Sequence, residues 1–324
     1  MNPPLISFVI PVFSCATNLL GMIKSIVAEC SKDSVSYEII VIDSIFSEDT
    51  SEIVKEYQSE NFKYIKFNIK TTFDFNLNYG IKLAAGKYIW PLSGDDLLKK
   101  NALNKILEGL TKYSDTDIIL LNSTNSSKSM GPYNRYYFGS LINKKILDFK
   151  IYDKQSLYDF INSNKNSESL FSFMSCIIFK SNILMGKLNE LANLDGSFWR
   201  FHGQLLNSLA EFNKEILVLN EFCIRKRRGC YPFKTQKQSY RIVIVTVNIV
   251  EALKSTSFDY KTKKILINRA LSPIKYWHML FSALTINNLE DLNFFRQSYM
   301  VVDEFSGINR RIQVRSATAN GGLV

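Results

Sequence analysis

From Ile6 to Asn122 short apolar runs alternate with segments whose apolar residues recur every three or four positions. Ile6-Ser-Phe-Val-Ile10 is a β-rich run closed by Pro11. Leu19, Leu20, Ile23, Ile26 and Val27 then fall at helical spacing. Glu38–Ile42 predicts a buried strand ending at Asp43-Ser44. Ser47–Tyr57 predicts a helix with Ser47 or Thr50 as N-cap. Tyr64–Phe67 is a third strand, Phe75–Ala85 a helix stopped by Gly86, and Tyr88–Leu92 a fourth strand. After Ser93-Gly-Asp-Asp96 come a helix over Ala102–Leu110 and a fifth strand over Ile118–Asn122. Strands alternating with helices predict an α/β fold with a mostly parallel sheet. Ligands in such sheets bind beyond the carboxyl ends of the strands, which puts Pro11–Ser14, Asp43 and Ser93–Asp96 on one rim.

The middle of the chain is less regular. Phe138–Ile142 is a strand or a loop, Ser169–Phe179 a strongly apolar strand, Leu205–Phe212 a short helix and Glu215–Leu219 a strand. Beyond residue 230 the pattern turns helical, over Tyr240–Lys254, Lys261–Leu271, Tyr276–Ile286 and Leu289–Val302. The expected organisation is a main domain over residues 1–230, with halves 1–122 and 123–230. A helical C-terminal extension over 231–315 and a polar tail over 316–324 follow.

The 324 residues are 46% apolar and 22% charged, which excludes disordered and disulfide-miniprotein classes. Five cysteines at wide spacings, with no CxxC, point to a reduced, cytoplasmic chain without a zinc site. Leu5–Phe13 contains Pro11 and lacks a basic leader, so no signal peptide is expected. No apolar run reaches the ~20 residues that span a bilayer. The net charge is +10, and residues 225–275 alone carry 13 Lys and Arg against Glu251 and Asp259. So focused a charge suggests an anionic partner, such as phosphate groups or the inner face of a plasma membrane. Nucleic acid is excluded as the partner because no recognisable binding module accompanies the charge.

The turn after the first strand contains no glycine, so a dinucleotide-binding fingerprint is absent, and there is no P-loop. What remains is an acid at one strand end, Asp43, and an acidic pair at another, Asp95-Asp96. Hard carboxylates at a shared rim suit Mg²⁺ or Mn²⁺ bound to a diphosphate.

Four segments in order resemble glycosyltransferase family 2, the inverting nucleotide-sugar transferases of the GT-A fold. They are Ser7–Phe13 (SFVIPVF), Glu38–Thr50 (EIIVIDS followed by SEDT), Asn78–Trp90 (NYGIKLAAGKYIW) and Leu92–Asp96 (LSGDD). More loosely, Phe138-Gly-Ser, Ser172–Lys180 and Phe201–Leu206 resemble abequosyltransferase-like enzymes of bacterial surface polysaccharide.

The resemblance implies roles for particular residues. Asp43 would contact the donor nucleobase, with Pro11 and Phe13 flanking it. Asn78, Ser93 and Asp96 would line the donor site, and Asp95 would hold the metal. Ser93 stands where the family's DxD motif has its first carboxylate, which predicts weak or donor-dependent metal binding. By resemblance the general base is an Asp in an "ED" pair near the start of a helix after the apolar strand, and no such pair stands there in this chain; His202 and Asp195 are the two candidates. Arg225–Arg228 resembles a basic segment facing the leaving diphosphate, with Arg227 and Arg228 as its donor-binding members. The implied reaction moves a sugar from a nucleotide sugar to a glycan or lipid-diphosphate-linked acceptor, for O-antigen or capsule. The alternative is a nucleotide-sugar-binding homologue impaired in catalysis. The C-terminal helices are candidates for a homodimer contact.

Overall fold

The computed structural model describes residues 3–12, 16–44, 50–57, 59–113, 116–126, 148–164, 173–196, 199–211, 213–227 and 248–271. The chain divides into two compact units, Met1–Pro232 and Phe233–Val324.

In the first unit β1 (Ile6–Pro11), β2 (Tyr37–Ser44), β3 (Phe62–Phe67) and β4 (Tyr88–Pro91) are linked by α1 (Ala16–Asp33), α2 (Ser51–Lys55) and α3 (Phe73–Leu83). These strands lie side by side in the order β3-β2-β1-β4, all parallel. The β1 and β4 core residues Phe8, Ile10, Ile89 and Trp90 are fully buried. Such near-continuous apolar runs suit strands covered on both faces. Beyond β4 the direction alternates. β8 (Ile177–Lys180) runs antiparallel between β4 and β6 (Ile118–Ser126), and β9 (Ile216–Arg227) runs parallel to β6. β5 (Leu97–Leu98) and β7 (Phe149–Ile151) pair with β9 in antiparallel fashion. α4 (Ala102–Lys112) packs on β9, and α1 lends it a cap: Glu29 accepts from Asn101 N at 3.0 Å and Leu103 N at 3.2 Å. α5 (Lys154–Ser163) opens with a capping box between Asp153 and Ser156, and α6 is Arg200–Leu209.

Several expectations change. Of the apolar stretch Ser169–Phe179, the described part is a strand from Ile177, and Met174–Cys176 forms a 3-10 turn; residues 169–172 lie outside the described residues. β9 extends to Arg227, so Arg225–Arg227 belong to the strand rather than to a loop after it. α3 ends at Leu83, with Ala84 already extended, before Gly86 is reached. Gly86 serves a close approach: a Cβ there would lie 2.6 Å from Ser7 Oγ and 2.7 Å from Ser7 N. Thr50 occupies the N-cap of α2 without a side-chain cap bond, because its hydroxyl donates to Asp43. Periodicity did not reveal β5, β7 or α5. Ser47 and Phe138–Ile142 lie outside the described residues.

Opposite the rim, Ser7 Oγ donates to Glu38 Oε1 at 2.6 Å while accepting Gly86 N–H at 2.8 Å. Glu38 also accepts from Ala85 N and pairs with Lys63 Nζ at 2.7 Å. Burial works to raise the Glu38 pKa, but Lys63, Ser7 and the Ala85 N–H together hold it below its ordinary value.

In the second unit residues 248–254 are helical and a helix spans Tyr260–Leu271. Val250, Leu253, Leu266 and Ile267 are buried, whereas Lys261 and Lys264 are exposed. Tyr276–Ile286 and Leu289–Val302 lie outside the described residues. Among the described residues no helix is long and apolar enough to cross a membrane.

Candidate active site

β4 ends at Pro91, and Leu92 N donates to Val9 O at 2.8 Å, so the chain leaves the sheet directly beside β1. Ser93-Gly-Asp-Asp96 then turns across the rim, with Asp96 N donating to Ser93 O at 3.2 Å. Asp95 is 8% exposed and Asp96 2%. The Ser93 hydroxyl donates to Asp95 Oδ1. Asp96 Oδ1 accepts Arg227 N–H at 3.1 Å, and Asp96 Oδ2 accepts the Ser175 hydroxyl at 2.9 Å. Burial first, and the charge of Asp95 second, push the Asp96 carboxyl well above the ordinary carboxylate range.

Ser175 and Arg227 both hold this loop. Ser175 precedes β8, the antiparallel neighbour of β4. It accepts Ser93 N–H at 3.0 Å on its hydroxyl and Trp90 Nε1–H at 2.9 Å on its carbonyl. Arg227 ends β9, and its Nε donates to Asp95 O at 2.9 Å. The arginine therefore holds the acidic loop through the main chain. Lys226 stands 4.4 Å over the Phe173 ring, beside the same turn.

Asp43 lies at the C-terminal end of β2, on the rim that also carries the acidic loop, with β1 between them. It is fully buried. Its Oδ1 accepts Ser44 N–H at 2.7 Å, and its Oδ2 accepts the hydroxyls of Tyr64, at 2.8 Å, and Thr50. These bonds tie the β2 tip to β3 and to the start of α2. Pro11 ends β1 and is buried in register with Ile42.

The candidate bases lie near the starts of α3 and α6. Thr72 caps α3 by accepting Phe75 N–H at 3.0 Å and donates to Asp195 Oδ2 at 3.1 Å. Asp195 Oδ1 pairs with Arg200 Nη1 at 3.3 Å, and its side chain stays 33% exposed. The Arg200 N–H, first in α6, donates to Asp74 Oδ1 at 3.2 Å; Asp74, on α3, is buried. His202 follows in the first turn of α6, 6% exposed between Trp199 and Phe201. Neither of its ring nitrogens has a hydrogen-bond partner, and burial pushes its pKa down to about 3. Asn78, one turn beyond Asp74 on α3, is also buried with no partner for its amide oxygen or nitrogen. The structure thus brings Ser93, Asp95, Asp96 and Arg227 together. It ties Asp195 through Arg200 to Asp74, while His202 packs separately between Trp199 and Phe201. Phe13 and Arg228 lie outside the described residues.

Sequence reading missed Ser175, Tyr64, Asp74 and Arg200. Each acts across the fold on a residue distant in sequence, and a lone Ser or Tyr in an apolar run carries no signal of that.

Among the described residues no group of three or more His, Cys, Asp and Glu could hold a metal by itself. Asp95 and Ser93 offer one carboxylate and one hydroxyl, both hard oxygen donors. That set fits Mg²⁺ or Mn²⁺ when diphosphate oxygens and water complete the shell.

Curated relatives match about a third of the chain. The chain is 30% identical over 118 residues to the poly(ribitol-phosphate) β-N-acetylglucosaminyltransferase TarP of Staphylococcus aureus, covering 36% of this chain and 35% of TarP. It is 32% identical over 108 residues to the GalNAc(5)-diNAcBac-PP-undecaprenol β-1,3-glucosyltransferase of Campylobacter jejuni, covering 32% and 34%. The chain therefore spans about a third of the length of these curated relatives. A crystal structure of S. aureus TarS 1–349 with UDP-GlcNAc matches with a TM-score of 0.62 at 14% identity, covering 93% of this chain and 80% of that one; the likeness carries the fold, which is GT-A. The model of glycosyl transferase family 2 matches residues 7–171, half of the chain, and the chain belongs to that family.

Proposed function

We propose that the chain is an inverting glycosyltransferase that moves a sugar from a nucleoside-diphosphate sugar to a hydroxyl of a glycan acceptor. The observation that carries this reading is the junction of the acidic turn with the end of β9 at the sheet rim, where Asp96 Oδ1 accepts the Arg227 N–H and Arg227 Nε donates to the Asp95 carbonyl. In this reading the diphosphate lies over the acidic loop. The nucleobase lies against Pro11 and the β2 tip that Asp43 holds in shape. Asp95, with the Ser93 hydroxyl, holds Mg²⁺ or Mn²⁺, which supplies neutralisation of the leaving diphosphate. Arg227 anchors the loop, and with Arg228 adds positive charge where negative charge develops.

Inversion requires a base on the acceptor side. We assign that role to Asp195, whose partly exposed carboxylate is oriented by Arg200 and Thr72. His202, with its pKa pushed down by burial, stays neutral and offers a hydrogen bond rather than a strong base. The narrower resemblance to abequosyltransferase-like enzymes supports an acceptor in surface polysaccharide. The basic window 225–275 supports contact with an anionic membrane on the cytoplasmic side.

Thermal-shift titration with nucleoside diphosphates, with and without Mn²⁺, tests the donor site. One nucleotide should stabilise the protein selectively, and Asp95→Ala should abolish the Mn²⁺-dependent part. No selective nucleotide would refute the reading. A second reading, a homologue that binds donor without turnover, is favoured by the engagement of Ser93 with Asp95 in place of a metal-binding acid pair. Transfer or donor hydrolysis above a no-enzyme control would eliminate it.

A further inference from the structure

Asp195 closes a segment built of tight turns. Lys187 N donates to Leu184 O at 2.8 Å, Glu190 N to Lys187 O at 2.9 Å, Leu194 N to Leu191 O at 2.9 Å and Asp195 N to Ala192 O at 3.1 Å. These bonds stay within the segment. Polar side chains of α6 tie it to the rest of the fold. Arg200, Gln204 and Asn207 recur at four- and three-residue spacing and so share one face of that helix. Asn207 Nδ2 donates to Glu190 Oε2 at 2.9 Å, and just past the helix Glu211 pairs with Lys187 at 3.1 Å.

Gln204 is the centre of this stripe. It is fully buried, and its Nε2 lies 3.1 Å from each of three carbonyl oxygens, those of Lys187, Leu188 and Glu190. Two of the three are shared with Arg200, whose Nη2 donates to Leu188 O at 2.7 Å and whose Nε donates to Glu190 O at 3.3 Å. A carbonyl oxygen has two lone pairs and can accept both donors. The Gln204 amide and the Arg200 fork are therefore set against the same two atoms. The remaining guanidinium nitrogen, Nη1, meets Asp195 Oδ1 at 3.3 Å. Leu191, between Glu190 and the 3-10 turn Ala192–Leu194, is held at φ 53°, in the left-handed region. A leucine keeps that conformation only where its surroundings over-determine it.

We propose that Gln204 is a positioning residue for the proposed transfer, a role that rests on Asp195 as its base. By holding the Lys187, Leu188 and Glu190 carbonyls, Gln204 fixes the Arg200 fork, and the fork aims the Asp195 carboxylate. Without the amide, Arg200 alone must hold the two shared oxygens. The turn then gains freedom that passes along the chain to Asp195. A base has to reach the proton it removes, so a small drift of the carboxylate slows transfer while the donor site stays intact.

The test compares Gln204→Met, which keeps side-chain length and helix propensity but loses the donors, with Asp195→Asn and with the double variant, all in the full chain. Hydrogen–deuterium exchange over residues 187–195 should quicken roughly fivefold or more in Gln204→Met. A panel of UDP-, GDP-, CDP- and dTDP-sugars supplies the donor, and released nucleoside diphosphate is the readout. The rate at saturating donor should fall about tenfold or more in Gln204→Met, with the donor KM at the parental value. The double variant should be no slower than Asp195→Asn, because both changes remove one function. Losses that multiply in the double variant give Gln204 a merely structural role and overturn the proposal, as does unchanged exchange over 187–195. Asp195→Asn with the parental rate refutes the base assignment, and a parent without turnover refutes the proposed function; exchange alone then decides whether Gln204 seats the turn. If Gln204→Met does not fold, the Gln204 carboxamide protons of the parent decide by NMR. Slow exchange with water supports the seating, and exchange at the rate of a free amide overturns it.

Discussion

Ser175 Oγ donates to Asp96 Oδ2 at 2.9 Å and accepts the Ser93 N–H at 3.0 Å, so one hydroxyl bridges both ends of the acidic loop. Removing it leaves a buried carboxylate oxygen and a main-chain N–H short of a partner. Ser175→Ala should therefore cost ~1–3 kcal/mol, measured by urea unfolding. It should also weaken nucleoside-diphosphate binding in calorimetry, because the loop loses its anchor on β8. Unchanged stability would mean that water replaces the hydroxyl fully.

Ser93 occupies the place of a carboxylate, and its hydroxyl donates to Asp95. Ser93→Asp exchanges that bond for like-charge repulsion beside Asp95 and Asp96. Without metal the variant should be less stable than the parent by ~1–2 kcal/mol. Mn²⁺ should reverse the loss, and its affinity should rise by about tenfold or more, because a second hard ligand becomes available. Thermal melts with Mn²⁺ and with chelator read both effects. A variant that is destabilised and indifferent to Mn²⁺ would remove Asp95 from the metal assignment.

Gly86 allows β1 and the turn before β4 to meet. A methyl group there would sit 2.7 Å from Ser7 N and 3.0 Å from Ile6 C, both main-chain atoms. It would also lie 2.6 Å from Ser7 Oγ, the hydroxyl that donates to Glu38. Gly86→Ala should destabilise by ~2–4 kcal/mol in chemical denaturation, through overpacking against rigid strands. Gly186, where a Cβ meets nothing within 4 Å, is the control position and should tolerate Ala with little change.

Acid should unfold the protein in two stages. His202 is buried neutral with its pKa down at about 3, below the unfolded value of about 6.5. The unfolded state therefore binds the extra proton first. Stability should fall as pH drops below about 6.5, by about 1 kcal/mol per unit over the upper part of that range. Glu38 has its pKa lowered, so its contribution is present above the unfolded value near 4.5 and is lost as pH falls through its folded pKa. His202→Leu should remove the first stage and leave the second, whereas Glu38→Gln should weaken the second alone. Unfolding free energies between pH 2 and 8 check this. An unchanged slope in His202→Leu would place the imidazole in contact with solvent.

Apart from the two-residue β5, the strands and helices up to Ile118 follow from the sequence because their signals are local. Four-to-eight-residue apolar runs and three-to-four-residue periodicity are properties of a single segment. The parallel order of those strands, and hence the common rim of Asp43 and Asp95, follows from the handedness of the crossovers between them. Thr50 illustrates the limit: its position before α2 was legible, but the fold turns its hydroxyl onto Asp43 instead of the helix. The sequence singled out Arg227 by resemblance, but its contacts, like those of Ser175, Asp74 and Arg200, were decided by tertiary structure alone. Ser175 reaches Asp96 only because β8 runs antiparallel beside β4, and Arg227 only because β9 continues past the bulge in its pairing with β6. Those partners stand 79 and 131 residues apart in the chain. No short-range period encodes a contact at such separations; it arises from the order in which a sheet stacks its strands.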